Sequence, residues 1–138
     1  MKKSVILYCF LLASCSLFSN DPRLDPNIIG DWEWERSVGG IGGNAIDADS
    51  VDYSQQLEVM ASGDAFWYKD GIVKHVFKVE RGDWEIYDGL FVMIAIDTTT
   101  NEPITDGIVR VIEMATRRTM MIAEECADCY THTFIAAE

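Results

Sequence analysis

Cys126, Cys129 and His132 form a stretch with metal-ligand spacing. Zinc would take the two thiolates and the imidazole, with Asp128 nearby. A structural site needs four protein ligands, however, and a catalytic one three plus water. The same C-x-x-C pair can instead close a disulfide or stay reduced, and a thioredoxin-like role lacks its βαβ context. Gly40-Ile41-Gly42-Gly43-Asn44-Ala45 matches G-x-G-x-x-A, whose glycines let a pyrophosphate approach a helix N-terminus. No βαβ unit follows, so these glycines read as a bend, or a pocket lid, between two strands. Asp47, Asp49 and Asp52 offer oxygen ligands of the kind calcium takes, but the EF-hand glycine and terminal glutamate are missing. A solvated acidic loop is the expectation. His75 sits among apolar residues, and His132 alternates with Tyr130 and Phe134. Each is either a polar anchor in a pocket or a satisfied histidine of the core or rim. No carboxylate pair is singled out by spacing as a glycosidase acid and base, and no serine elbow or supported Ser-His-Asp arrangement is present. The chain is therefore read as a non-enzyme, with no catalytic residue, metal or cofactor.

A more specific signal precedes all of these. Lys2 and Lys3 lead into an apolar run over residues 5–12, which ends in Leu12-Ala13-Ser14-Cys15. The run has the length of a secretory h-region and falls short of the roughly 20 residues that span a membrane. Its last four residues resemble the lipobox of bacterial lipoproteins. That resemblance implies removal of residues 1–14, lipid on the Cys15 sulfur and attachment of the exported chain to a membrane. Two or more acyl chains make such an anchor stable. Ser16 follows the cysteine where an acidic residue would signal retention, which favours the outer membrane.

Composition agrees with export. The 138 residues carry 11 basic and 23 acidic side chains, for a net charge of −12. Two of the basic residues and none of the acidic ones lie in the leader, so the exported chain is more acidic still. Such a surface repels nucleic acid and anionic headgroups. Cys9 leaves with the leader and Cys15 takes lipid. Cys126 and Cys129 remain, and an oxidising compartment favours a disulfide between them, with a modest entropic effect because the ring is short. Residues 15–27 contain Pro22 and Pro26 and read as a tether, able to reach roughly 40 Å when extended. Residues 28–138 suit one domain with a sizeable core.

The elements that must position any site follow a period near two. Trp32, Trp34 and Val38 fall on one face, with Asp31, Glu33, Glu35 and Ser37 on the other. Residues 51–59, 65–69, 73–79, 84–87, 90–97, 108–115, 118–124 and 130–136 read as further strands. Asp70-Gly71 marks a two-residue hairpin. In the strand after it, Val73, His75, Phe77 and Val79 share a face. Residues 90–96 are apolar on both faces, which suggests burial or an interface on both sides. The only possible helical segment is 44–50. Eight or nine short strands with tight turns predict an all-β, antiparallel up-and-down barrel, with a sandwich as the competing architecture. The aromatics Trp32, Trp34, Tyr53, Phe66, Tyr68, Phe77, Trp84 and Phe134 are expected to fill or line it. A barrel this small is either packed solid or holds one small ligand.

Gly30-Asp31-Trp32 resembles the G-x-W signature of lipocalins. Trp32-Glu33-Trp34, Ser37 and the glycines 39–43 extend that resemblance to small lipocalin-like lipoproteins of Bacteroidetes-type bacteria. Cys126-Ala127-Asp128-Cys129-Tyr130 stands where a D-G-Y turn precedes their last strand. The likeness covers residues 28–138, with two departures. Cys129 replaces the usual glycine, and the basic residue that stacks on the first-strand tryptophan is missing after Phe134. The resemblance implies a lipocalin-like barrel that holds a small apolar ligand, with Gly30 and Trp32 structural. Trp34, Tyr53, Phe66, Tyr68, His75, Phe77 and His132 are the candidate lining. An accessory lipoprotein bound to an envelope protein is the alternative. Replacing Cys15 with serine is expected to abolish incorporation of labelled palmitate and to release the chain from the membrane fraction. Retention of label by the variant would show that the anchor lies elsewhere.

Overall fold

Alternation along the strands, interrupted by three bulges, decides which side chains share the interior. The computed structural model describes residues 24–82, 87, 89–105 and 108–138. The strands are β1 (Gly30–Gly39), β2 (Asn44–Asp47), β3 (Gln55–Val59), β4 (Asp64–Lys69), β5 (Ile72–Arg81), β6 (Phe91–Ala95), β7 (Val109–Ala115), β8 (Thr119–Glu125) and β9 (Tyr130–Ala136). All pair antiparallel. β1 and β3 to β9 follow one another around the sheet, and β9 pairs back onto β1. The result is a closed eight-stranded barrel compatible with a lipocalin-like fold. The extra strand, β2, continues the edge of β1 beyond the reach of β3. Among the described residues there is no α-helix. The segment 44–50, the one helical candidate, forms β2 and a single 3-10 turn (Ala48–Ser50), in keeping with its poor apolar content. The predicted strand 51–59 shortens to Gln55–Val59, since Val51 and Tyr53 precede the ladder. The leader, the Cys15 anchor and Trp84 lie outside the described residues, as does most of the strand predicted over 84–87.

The two ends of the barrel differ. One gathers residues 60–63 and 116–118 with the segment 24–29. There Trp32 donates its indole N–H to the Ile28 carbonyl at 3.0 Å. Leu24, Ile28, Trp32, Val59, Val79, Met93, Met120 and Phe134 belong to one buried cluster. Packing therefore begins at least as early as Leu24, within the predicted tether. This contact caps the first-strand tryptophan without the basic residue that the lipocalin resemblance leads one to expect. The opposite, open end gathers the glycine-rich bend 40–43, the Asp70-Gly71 turn, residues 96–105 and the cysteine turn. Asp70 and Gly71 both have positive φ, 52° and 73°, as a two-residue hairpin requires. Gly39 is obligatory for a different reason: a Cβ there would collide with the Cys129 carbonyl oxygen.

The bulges overturn part of the predicted facing. Between Trp34 and Arg36 the register of β1 on β9 shifts by one residue, so Ser37 is buried and Val38 is exposed. A second shift lies between Trp67 and Tyr68 opposite Lys74. It puts Val73 opposite Tyr68 on the outer face and His75 opposite Trp67. Phe66 and Tyr68 were expected inside and are outside. The interior residues of β4 are Ala65 and Trp67, both buried, and Lys69 in phase with them. Tyr68 donates instead to Glu58 across the outer face, at 2.9 Å. In β6, Phe91, Val92 and Met93 are all buried, so both faces are covered over these residues as predicted. Trp32→Ala is expected to lower stability by about 3–5 kcal/mol, the cost of truncating a packed tryptophan. Urea unfolding checks this through the transition midpoint; a shift within error would show that the capped end does not hold the barrel together.

Candidate functional site

At the open end the interior is not filled. A cleft of about 210 Å³ is lined by Gln55, Trp67, Lys69, Lys74, His75, Phe77, Arg110, Glu124 and His132. Below it the barrel is packed: Phe77, Met120, Ile122 and Phe134 are essentially inaccessible. Trp67 is the centre of the floor. Its ring meets Phe134 and His132 edge-on, each at a centroid distance of 5.1 Å, and Phe77 at 6.4 Å. Its indole N–H is held by Gln55 Oε1 at 2.9 Å.

One wall is a chain of polar contacts that neighbouring strands bring into register. Arg110 and Glu124 are directly opposed on β7 and β8, and Arg110 Nε lies 3.2 Å from Glu124 Oε1. The guanidinium also sits 5.4 Å above the Phe77 ring. Glu124 Oε1 faces His132 Nε2 at 3.7 Å, within ion-pair distance but too long for a hydrogen bond. On its other side, His132 Nδ1 meets Ser37 Oγ at 2.7 Å, and Ser37 accepts from Trp34 Nε1 at 2.8 Å. In the arrangement that suits each of these groups, the Ser37 hydroxyl donates to Nδ1 and the ring N–H is on Nε2, facing the carboxylate. His132 and Arg110 hold the Glu124 carboxyl below its ordinary value, against the opposing effect of burial.

Ser37, His132 and Glu124 have the composition of a hydrolase triad, which requires a reachable nucleophile. Ser37 is only 4% exposed, is held by Trp34 and does not line the cleft. These three groups act as an internal polar strut between β1, β9 and β8. The bulge in β1 creates it, by turning Ser37 inward.

Of the seven expected lining residues, His75, Phe77 and His132 border the cleft. Trp34 and Tyr53 stack on each other beside it, with centroids 5.8 Å apart, and Phe66 and Tyr68 face outward. Lys69, from the cleft wall, extends over the Tyr53 ring at 3.9 Å. Sequence reasoning missed Gln55, Trp67, Lys69, Lys74, Arg110 and Glu124. A signal for two of them existed: Arg110 is in phase with Ile112, and Glu124 with Ile122, so each is a charge on an apolar face. Lys74 carried no such signal, because its inward approach depends on the bulge.

Cys126 and Cys129 lie at disulfide distance, with Cα atoms 5.1 Å apart. The turn they form is tied to the glycine bend by Gly40 N–H donating to the Cys129 carbonyl at 3.2 Å. Among the described residues, no three His, Cys, Asp or Glu side chains converge on a metal-sized site.

Glu124 links the site to pH. Its folded value lies below the ordinary 4.5, so its contribution is complete above that pH and is lost as pH falls through the lowered value. Glu124→Gln should cost about 1–3 kcal/mol at neutral pH, because Arg110 loses a charged partner in a buried position. It should also flatten the acid arm of a plot of thermal midpoint against pH; parallel acid arms for the two proteins would contradict the coupling. The chain matches no protein-family model, no curated protein and no solved structure, so the reading of this cleft rests on its own residues.

Proposed function

We propose that this chain is a non-enzymatic lipoprotein of the bacterial cell envelope, with a lipocalin-like barrel that takes a small molecule at its open end. Anchorage through Cys15, with the outer membrane favoured, rests on the lipobox. Kinship with the small lipocalin-like lipoproteins rests on the G-x-W strand and the closed barrel. One observation carries the binding reading: the interior is packed at the capped end and gives way to an aromatic-floored cleft at the other. The cleft is smaller than the roughly 300 Å³ at which pockets for drug-sized ligands begin. A wholly buried apolar ligand therefore does not suit it. A small molecule, or one end of a larger one, fits against Trp67.

A second reading is favoured by the rim of the same end. Ile41 is 92% exposed and Ile72 62%, and Val38, Val73 and Ile104 are exposed beside them. Scattered apolar residues are ordinary on a surface, but five at one end of a barrel suit contact with an envelope protein. Native mass spectrometry of the chain purified from its own envelope separates the two. A co-purified species of a few hundred daltons at most, released on unfolding, is expected for the binding module. A bare chain recovered only in crosslinks to one envelope protein would favour the accessory role instead.

A further inference from the structure

We infer that the cleft is a seat for a small organic carboxylate, whose charge lies between Lys69 and Lys74 and whose apolar body lies on Trp67. This rests on the binding reading above and names the ligand class. Among the described residues, three cations, Lys69, Lys74 and Arg110, line the cleft against one carboxylate, Glu124. That carboxylate is already engaged with Arg110 and faces His132. The two lysines remain without a carboxylate partner among the described residues. Lys69 is stacked over the Tyr53 ring, which fixes its position without neutralising it. Lys74 is brought to the same mouth by the β5 bulge, as the extra residue between Val73, opposite Tyr68, and His75, opposite Trp67.

The surplus of positive charge stands out because the whole chain carries −12. On so acidic a protein, cations are expected beside carboxylates. Lys78 with Asp64 and Arg36 with Asp47 are paired in this way, each at 3.2 Å. In the cleft the pattern reverses. Like charges that border one mouth repel one another, and an anion between them relieves that repulsion. The floor selects among anions. Trp67 supplies the apolar ring edge that remains accessible at the floor, which a carboxylate bearing an aromatic or short alkyl body covers and a bare inorganic anion does not.

Isothermal titration calorimetry on the full chain, as processed on expression, tests this with benzoate, benzyl alcohol and inorganic phosphate as probes. Benzoate is expected to bind about tenfold more tightly than benzyl alcohol, as two partly exposed charge contacts together contribute, and more tightly than phosphate. The preference over the alcohol should shrink with added salt. It should vanish in the Lys69→Gln/Lys74→Gln double variant, with thermal unfolding used to verify the fold. If the double variant does not fold, Lys74→Gln alone, at an exposed position, should weaken benzoate about threefold. Equal binding of benzoate and benzyl alcohol, unchanged by the substitutions, would overturn the carboxylate seat while leaving the small-molecule reading intact. Phosphate binding as tight as benzoate would overturn the role given to the aromatic floor. Absence of heat with all three probes overturns the inference; joined to a bare chain in native mass spectrometry, it overturns the binding reading as well.

Discussion

An antiparallel sheet of this length has two edges, each a row of unpaired N–H and C=O groups, and the ladder between β1 and β9 removes both. That closure makes the alternating faces of eight strands into an inside and an outside. It also brings together residues far apart in the chain, such as Ser37 and His132, 95 positions from each other. Without the ladder the buried polar strut would have no second half, and Trp67 would lose the rings of His132 and Phe134 that hold it edge-on.

Closure alone would give a solid, symmetric barrel. The asymmetry comes from what occupies each end. Trp32, Ile28 and Leu24 fill one, and the hydrogen bond from the indole to the Ile28 carbonyl holds the incoming chain across it. At the other end the strands carry charged and polar residues on their inner faces, which cannot pack as densely as hydrocarbon and must be hydrogen-bonded or paired. Arg110, Glu124, His132 and Ser37 form a line of ion-pair and hydrogen-bond contacts, with His132 Nε2 facing Glu124 at 3.7 Å and making no hydrogen bond among the described residues, and the cleft opens along that line.

Two of the bulges supply the chemistry of that end. Each places two residues of one strand opposite a single residue of its neighbour and so exchanges inner and outer faces beyond that point. In β1 the exchange turns Val38 outward and Ser37 inward; in β5 it turns Val73 outward and draws Lys74 to the mouth beside His75. An uninterrupted alternation would have turned Arg36, Val38 and Val73 inward and left His132 without its hydroxyl partner. The glycine bend and the cysteine turn, which looked like candidate nucleotide and metal motifs, instead hold this rim together: Gly39 allows the close approach of Cys129, and Gly40 donates to it.

The amino-acid order by itself determined the eight strands of the barrel, the Asp70-Gly71 hairpin, the final hairpin with its cysteines in the turn, and an antiparallel barrel, because a period of two and turn residues are local properties; β2 escaped it. It also carries Leu12-Ala13-Ser14-Cys15, whose resemblance to a lipobox is read from the chain and not from its fold. It could not tell Phe66 and Tyr68 from Trp67, since aromatic residues occupy both phases of β4 and only the register against β3 and β5 separates them. Nor could it place Lys69, Lys74, Arg110 and Glu124 around one space. Those four come from four strands, and which of their side chains converge depends on register and on a bulge. Both are settled by the pairing of whole strands, so the cleft belongs to the tertiary structure.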